Sequence, residues 1–259
     1  MINGNGVALR LDDVGASSKL YEIYGRTRVG PLPFPGNVLF LKRVPGIKRW
    51  GPYRELGAAE WERLLTVLEA ARARLIVAIT AGWVEWSARV VPFPQKFPAQ
   101  AATIRDGVRR GLLEVANHGY THCVLAGRAF RPRAFAGNRS YHREFLDTVP
   151  DSLQREHLAR SQAILQDYFA TPVVTFVPPG NAFTRATAEM AVEHGLRILS
   201  CYDAGRWGPV AGLTFVDDAR VEILHDRDLV LGGIESLSRV LARSAGGFTT
   251  VRVVGERGG

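Results

Sequence analysis

Short runs of β-branched and apolar residues alternate with longer amphipathic segments along most of the chain. The runs that we predict to be strands are VALRL (7–11), LIVAIT (75–80), LLEVAN (112–117), VVTFV (173–177), LRILS (196–200), VEIL (221–224) and FTTVRV (248–253). The segments that we predict to be helices are 58–73, 99–111, 152–170, 184–195 and 233–247. Strand and helix in alternation indicate parallel strands joined by helical crossovers. We therefore expect an α/β fold, and seven strands fit a distorted (β/α)7-type barrel of mostly parallel strands.

The size and composition of the chain are compatible with such a barrel. Its 259 residues, of which 46% are apolar, can bury a core of that size. We find no internal repeat, low-complexity tract or interdomain linker, so we expect one domain over residues 1–259. Much of the net charge of +8 falls in two stretches, which we predict to be basic loop insertions at about 17–57 and 124–150.

Polar residues follow several of the predicted strands. Parallel α/β folds collect their functional residues at the carboxyl ends of the strands. Those ends meet on one rim, so the sequence predicts a shared site from these residues: Asp12, Asp13, His118, His122, Pro179, Gly180, Asn181, Asp203 and His225.

The segment EVANHGYTHC (114–123) places His118 and His122 four residues apart. Neutral imidazole is a good zinc ligand, but a catalytic zinc site usually has three protein ligands. Adjacent aspartates at a strand end point different ways, so one carboxylate can bind metal while the other faces the attacking water. We assign Asp13 to the metal with the two histidines, and Asp12 to the role of general base. The alternatives are two structural histidines and an Asx-type turn at the aspartates.

The same ligand set suggests one divalent metal ion as cofactor. Zinc is favoured by the ligand types, while cobalt, nickel, manganese and iron fit the same set. A general acid is also needed for the leaving group. His225 is expected on the same rim, and a histidine titrates in the useful range; the alternative for His225 is a solvated loop residue. We expect Cys123 to be a small buried thiol and His157 to lie at the surface.

The order of RLDDVG, EVANHGYTH, FVPPGN, ILHDRD and GGFTTVRV along the chain resembles the polysaccharide deacetylases. These are the NodB-homology group of carbohydrate esterase family four, and this chain resembles a divergent branch of them. The resemblance implies a distorted (β/α) barrel and a metal-dependent hydrolase that removes an acyl group, most often acetyl, from an N-acylated amino sugar.

By that likeness Asp12 matches the base, Asp13, His118 and His122 match the metal ligands, and His225 matches the acid. Asp203 looks like the carboxylate that orients His225, and backbone N–H groups near Gly180 and Asn181, beside Pro179, are expected to help hold the oxyanion. Two positions depart from the family pattern. Val177 stands where an arginine usually pairs with the base, with Arg10 or Arg206 as substitutes between which the sequence does not choose, and Gly119 stands where serine or threonine is usual.

The first basic stretch interleaves arginines with aromatic residues, among them Arg49, Trp50 and Tyr53, which we expect to bind substrate. Arginine binds phosphate through paired hydrogen bonds, and an aromatic ring can stack on a sugar ring. We therefore expect an anionic N-acylated sugar, such as a phosphate-linked or acidic intermediate of surface-polysaccharide biosynthesis. The chain shows no leader-like segment and no long apolar run, so we expect a cytoplasmic protein without a membrane span.

Two other functions remain open from the sequence. One is a C–N hydrolase acting on a small amide or formamide. The other is a non-catalytic protein that binds an anionic ligand or nucleic acid, although no nucleic-acid motif is recognised and we do not expect nucleic acid as a partner. The oligomeric state is not determined by the sequence.

Overall fold

The structure is a computed structural model that describes residues 7–16, 26–29, 32–35, 54–85, 89–124, 143–243 and 248–256. The strands are β1 (Val7–Val14), β2 (Arg26–Val29), β3 (Leu32–Pro35), β4 (Leu75–Ile79), β5 (Gly82–Val84), β6 (Val90–Pro92), β7 (Leu113–Asn117), β8 (Thr175–Phe176), β9 (Ile198–Cys201), β10 (Thr214–Asp217), β11 (Val221–His225) and β12 (Phe248–Thr249). The helices are α1 (Ala58–Ala70), α2 (Phe93–Lys96), α3 (Pro98–Arg109), α4 (Asp151–Phe169), α5 (Arg185–Glu193), α6 (Asp226–Gly232), α7 (Glu235–Arg243) and α8 (Val251–Glu256).

One parallel sheet organises the fold, and the α/β prediction is confirmed. Its strands are ordered β10-β9-β8-β7-β4-β1-β11, with β12 also paired to β1, and every pairing in it is parallel. Two antiparallel pairs, β2 with β3 and β5 with β6, lie outside this sheet. The sheet is therefore the scaffold on which the carboxyl-end residues are arranged.

The sheet is curled into a half-barrel. Its two edge strands, β10 and β11, are joined by the single 3-10 turn Asp218–Arg220, so the two edges of the sheet must lie close together. The side chain of Arg10 on β1 also reaches Ser200 on β9, although three strands lie between β1 and β9 in the sheet order, with 2.8 Å between Nη1 and Oγ. A side chain can bridge those strands only across the inside of a curved sheet. The expected barrel-like curvature is confirmed.

Alternate residues of the strands face two different environments. Leu9 and Leu11 of β1 belong to the cluster that packs against Leu64 of α1 and Ile104 of α3 on the outside of the sheet. Ala8 belongs to a second cluster, which α8 closes with Val251 and Val254. Arg10 and Asp12 follow Ala8 at intervals of two, so the same periodicity directs them to the inside of the curve.

The observed elements differ from the predicted ones in several places. FTTVRV was expected to be one strand, but β12 ends at Thr249 and the chain continues as α8. Burial of Val251 and Val254 against the sheet overrides their β propensity. The short elements β5, β6, β10, α2 and α6 were not predicted, and β2 and β3 form an antiparallel pair inside the stretch at 17–57 that was expected to be a loop.

His157 was expected at the surface and is buried in α4, with 2% of its surface exposed. None of the helices in the described part of the chain combines the length and apolar character that a membrane crossing requires.

Candidate metal centre and active site

Three predicted ligands converge at the carboxyl ends of β1 and β7. Oδ1 of Asp13 lies 3.3 Å from Nε2 of His118 and 3.3 Å from Nε2 of His122. All three side chains are buried, and one ligand atom from each lies within 4.8 Å of the others. Two imidazole nitrogens and one carboxylate oxygen facing a common point form a donor set suited to zinc and related divalent ions.

The orientation of His118 is set by a hydrogen bond on the side of the ring that faces away from Asp13. Its Nδ1–H donates to the carbonyl of Val177, at 2.7 Å, and the backbone N–H of His118 donates to the carbonyl of Ile79. The hydrogen bond at Nδ1 fixes the ring orientation and leaves Nε2 as the ring nitrogen that faces Asp13. Val177, which stands where the family usually has an arginine, therefore contributes its carbonyl to the site.

Asp13 is held by its other oxygen. Nη1 of Arg227 donates to Oδ2 of Asp13 at 3.0 Å, which leaves Oδ1 directed at the two histidines. The backbone of Asp13 is left-handed, with φ of 66°, and its carbonyl accepts from the N–H of Ala16. Burial acts to raise the pKa of Asp13, but its hydrogen bonds with His118 and His122 prevail and hold that pKa well below the usual range.

The predicted base, Asp12, is paired with a buried arginine. Nε and Nη2 of Arg10 donate to Oδ1 and Oδ2 of Asp12 at 2.8 and 3.0 Å. Nη1 of Arg10 also donates to Ser200 Oγ and to Asp218 Oδ1. Of the two arginines that the sequence left open, the structure selects Arg10, because it shares the inner face of β1 with Asp12.

Arg206 lies elsewhere on the rim. Its Nη2 donates to the carbonyls of Asn181 and Phe183, and its guanidinium stands 4.2 Å from the centroid of the Phe183 ring. It therefore braces the loop that follows β8, and no described contact joins it to Asp12.

His225, the predicted acid, is the residue of β11 that is paired with Asp12 of β1. Asp228 accepts hydrogen bonds from the backbone N–H of His225 at 2.9 Å and from its Nδ1 at 3.3 Å. Burial acts to lower the pKa of His225, but the bond with Asp228 and the charges of Asp13 and Asp12 leave it raised.

The expectation that Asp203 orients His225 is not met in this structure. Asp203 lies exposed on the loop after β9, in a left-handed conformation with φ of 50°, and the carboxylate that contacts His225 is Asp228. The reason is local: Asp228 belongs to the first turn of α6, three residues after His225, where its side chain folds back onto the residue that begins the helix.

Residues Pro179–Asn181 form a 3-10 turn at the end of β8. The N–H of Asn181 donates to the carbonyl of Pro178 inside the turn, so it is not directed at an oxyanion as expected. The side chain of Asn181 accepts from the N–H of Tyr202, and Pro179 lies against the turn at Gly119. Asn181 and Pro179 thus have observed packing roles, and Gly180 accommodates the side chain of Arg143.

The expected substrate-binding residues Arg49, Trp50 and Tyr53 lie outside the described residues, as do most of the insertions at 17–57 and 124–150. Cys123 is buried beside Val84, as expected, and is not among the clustered metal donors.

Several residues near the site were missed by the sequence analysis. Arg227 and Asp228 stand in the quoted segment ILHDRD, and an acid three residues after His225 is the spacing of a helix cap. No sequence signal marked Asp218, or the buried Glu144 that contacts the loop carrying His122.

Comparisons with known proteins agree with this architecture. A family model described as polysaccharide deacetylase matches residues 51–199, more than half of the chain. A comparison with curated proteins found no match.

Several solved structures share the fold. A Mycobacterium smegmatis protein with a provisional assignment as a polysaccharide deacetylase is 13% identical, with a TM-score of 0.55 over 98% of this chain and 91% of that one. The Bc1960 peptidoglycan N-acetylglucosamine deacetylase is 14% identical, with a TM-score of 0.52 over 99% of this chain and 90% of that one. BA3943 from Bacillus anthracis, a CE4 family pseudoenzyme, is 12% identical, with a TM-score of 0.50 over 98% of this chain.

This chain spans 66% of the length of BA3943. At these identities the likeness concerns the fold alone, and a pseudoenzyme among these neighbours means that the fold does not by itself imply activity.

Proposed function

The chain belongs to the polysaccharide deacetylase family, and from that premise we propose that it is a metal-dependent hydrolase that removes an acetyl group from an N-acetylated amino sugar. The observation that carries the proposal is the convergence of Asp13, His118 and His122 beside Asp12. The two carboxylates are held by different arginines, Arg227 and Arg10, which suits two different roles.

Asp13, His118 and His122 would hold the metal ion. A divalent ion bound there supplies Lewis acidity, which activates water and polarises the amide carbonyl. Zinc is our first choice from the ligand types, with cobalt, nickel, manganese and iron as substitutes.

The residues of the chain then divide the proton transfers. Asp12, oriented by Nε and Nη2 of Arg10, accepts a proton from the attacking water. His225, aligned with Asp12 across the β1–β11 pairing, donates a proton to the amine nitrogen as the C–N bond breaks. Asp228 keeps the imidazole oriented and favours its protonated form.

We further propose that the sugar is anionic. The support is chemical: the two basic insertions, including Arg49, Trp50 and Tyr53, adjoin the chain segments that carry Asp13 and His122. Guanidinium groups bind phosphate or carboxylate through paired hydrogen bonds. A phosphate-linked or acidic intermediate of surface-polysaccharide biosynthesis has this chemistry.

The proposal is tested by measuring bound metal and acetate release on the same preparations. Elemental analysis of wild type, Asp13→Asn and Asp12→Asn is compared with acetate release from N-acetylglucosamine 1-phosphate and from neutral N-acetylglucosamine oligomers. We expect metal and activity in wild type, neither in Asp13→Asn, and metal without activity in Asp12→Asn. Circular dichroism confirms that each variant is folded.

The outcomes separate the alternatives. Faster release from the phosphorylated sugar supports the anionic substrate, and equal rates contradict it. Hydrolysis of formamide in place of the sugars would support the small-amide hydrolase. Metal-loaded wild type that releases acetate from neither the phosphorylated nor the neutral N-acetylated sugar contradicts the proposed activity.

A further inference from the structure

The loop that carries His122 wraps around a buried carboxylate. Glu144 has no exposed surface, and its Oε2 lies 3.1 Å from the N–H nitrogen of Thr121 while its Oε1 lies 3.3 Å from that of His122. The hydroxyl of Thr121 lies 3.1 Å from Oε2 as well. Glu144 thus accepts from successive backbone N–H groups of the loop that delivers a metal ligand.

The backbone of this loop needs such a partner. His122 is left-handed with φ of 53°, and Gly119 has φ of 77°. A left-handed residue next to an ordinary one turns successive N–H groups toward the same side, which forms a concave anion-binding site. The conformation is uncommon for a residue with a side chain and persists where surrounding contacts stabilise it. It is also the conformation that directs the His122 imidazole at Asp13.

Glu144 is itself held from the other side by α4. Nδ1 of His157 donates to Oε2 of Glu144 at 2.5 Å, and the ring of His157 packs edge-on against Tyr120, with 5.3 Å between centroids. Burial acts to raise the pKa of Glu144, but the charge and hydrogen bond of His157 and the N–H of Thr121 leave it lowered. The carboxylate is therefore the form that the surroundings favour.

Gly119 leaves room for this carboxylate. A Cβ built at residue 119 would lie 1.7 Å from Oε1 of Glu144 and 2.9 Å from Cγ of Pro179. A side chain at residue 119 and the carboxylate of Glu144 cannot occupy these positions together. The observed position of the Glu144 carboxylate therefore requires glycine at residue 119, although 25 positions separate the two residues in the sequence.

We propose that Glu144 and His157 are positioning residues that hold residues 118–122 in the conformation that presents His122 to the metal. Glu144 supplies the negative charge around which the loop turns, and His157 fastens that charge to α4. The zinc measurement rests on the proposed metal site. The effect of Glu144 on the loop is measurable in metal-free protein.

Two readouts test the proposal on wild type, Glu144→Ala and His157→Phe. The first is hydrogen exchange of the Thr121 and His122 amides in metal-free protein, and the second is the zinc Kd from competition with a chromophoric chelator. We expect Glu144→Ala to lose amide protection in the loop and to bind zinc about 10- to 100-fold more weakly, as outer-sphere variants of metal sites do. His157→Phe keeps a ring beside Tyr120 and should show a smaller loss of both kinds.

Thr187→Val is the matched control. Thr187 is also fully buried and hydrogen-bonded, but its partners are Thr184 and Gln154 at the start of α5 and on α4. This variant should lower stability without changing loop exchange or the zinc Kd. A folded Glu144→Ala whose exchange and Kd match those of the control overturns the proposal.

The close approach of Gly119 to Glu144 gives a second test that does not depend on one variant folding well. Gly119→Ala should displace Glu144 and weaken zinc binding by itself, and should cost less in the Glu144→Ala background, because the clash with Oε1 is gone while the contact with Pro179 and the left-handed φ are common to both backgrounds. Additive costs would overturn the arrangement. If wild type binds no zinc, the proposed metal site fails, whereas the amide exchange still decides whether Glu144 positions the loop.

Discussion

The proposed metal-ligand half of the site and the proposed proton-transfer half are built differently. The ligand half, Asp13, His118 and His122, has side chains that are 12%, 3% and 4% exposed. Arg227 holds Asp13, and the carbonyl of Val177 holds His118. The proton-transfer half consists of Asp12 and His225; Asp12 is buried against Arg10, while the side chain of His225 is 31% exposed. Ligands must be held in one geometry, whereas an acid has to exchange protons with water and meet the substrate, and the greater exposure of His225 suits that role.

The bracing groups also differ in kind. A backbone carbonyl, that of Val177, orients His118, whereas a buried arginine, Arg10, holds Asp12. A charged partner leaves an uncompensated charge when it is removed, so the two kinds of brace should fail in different ways. Four variants separate them.

The largest effect is expected from His118→Ala, which removes a ligand. Two remaining ligands hold a divalent ion poorly, so zinc binding should weaken by more than the roughly 10- to 100-fold typical of outer-sphere changes. Acetate release should fall to background. Elemental analysis after gel filtration checks the metal, and full zinc occupancy in this variant would contradict the ligand assignment.

Arg10→Met should break the proton-transfer half while leaving the ligands in place. Removal of the Arg10 guanidinium leaves Asp12 and Asp218 without their buried cation, which should lower the free energy of unfolding by about 3–5 kcal/mol. Activity should fall with zinc still bound. Urea denaturation measures the first effect, and loss of zinc together with activity would contradict the separation of the halves.

Asn117→Ala tests the neutral bracing of the ligand half. The amide of Asn117 donates to Ser161 and Gln162 on α4, and its oxygen accepts from the N–H of Gly119. Leaving these buried groups unpaired should cost about 1–3 kcal/mol of stability. The fold-increase in the zinc Kd should exceed the fold-decrease in activity of the zinc-loaded enzyme. A larger loss of activity than of zinc affinity would mean that Asn117 takes part in the reaction itself.

Asp228→Asn should give the smallest effect, confined to pH dependence. Asp228 raises the pKa of His225, and a general acid is active only while protonated. Activity falls as pH rises through that pKa, so weakening the partner should move the alkaline limb to lower pH.

Asp203→Asn is the control for this shift, because Asp203 is exposed and does not contact His225. Its pH profile should match that of wild type. A shift in Asp203→Asn with none in Asp228→Asn would restore the sequence-based assignment.

The positions of the main site residues were predictable because they depend on strand ends. Asp12, Asp13, His118 and His225 follow runs of apolar residues, and parallel strands bring such ends to one rim. Arg10 stands two residues before Asp12 on β1 and shares its face, but the sequence left Arg10 and Arg206 as equal candidates. Register settles the pairing of Asp12 with His225.

The partners of these residues were not predictable in the same way. Asp203 and Asp228 are both acids near a strand end, and only the start of α6 at Asp226 turns Asp228 toward His225. His157 lies on a helix whose outer face is polar, so its burial depends on what packs against that helix. Glu144 follows a basic stretch in which nothing marks one acid as buried.

The sequence by itself determined the fold class, the edge of the sheet where the site lies and the candidate ligands. Hydrophobic periodicity and the polar residues that follow each strand are local properties of consecutive residues. The tertiary structure decided which arginine holds Asp12, which acid contacts His225, and why a side chain at residue 119 would clash with Glu144. Those contacts join residues far apart in the chain, such as Arg10 with Ser200 and Glu144 with the 118–122 loop. Such pairings depend on the curl of the sheet and the packing of α4, which no local pattern specifies.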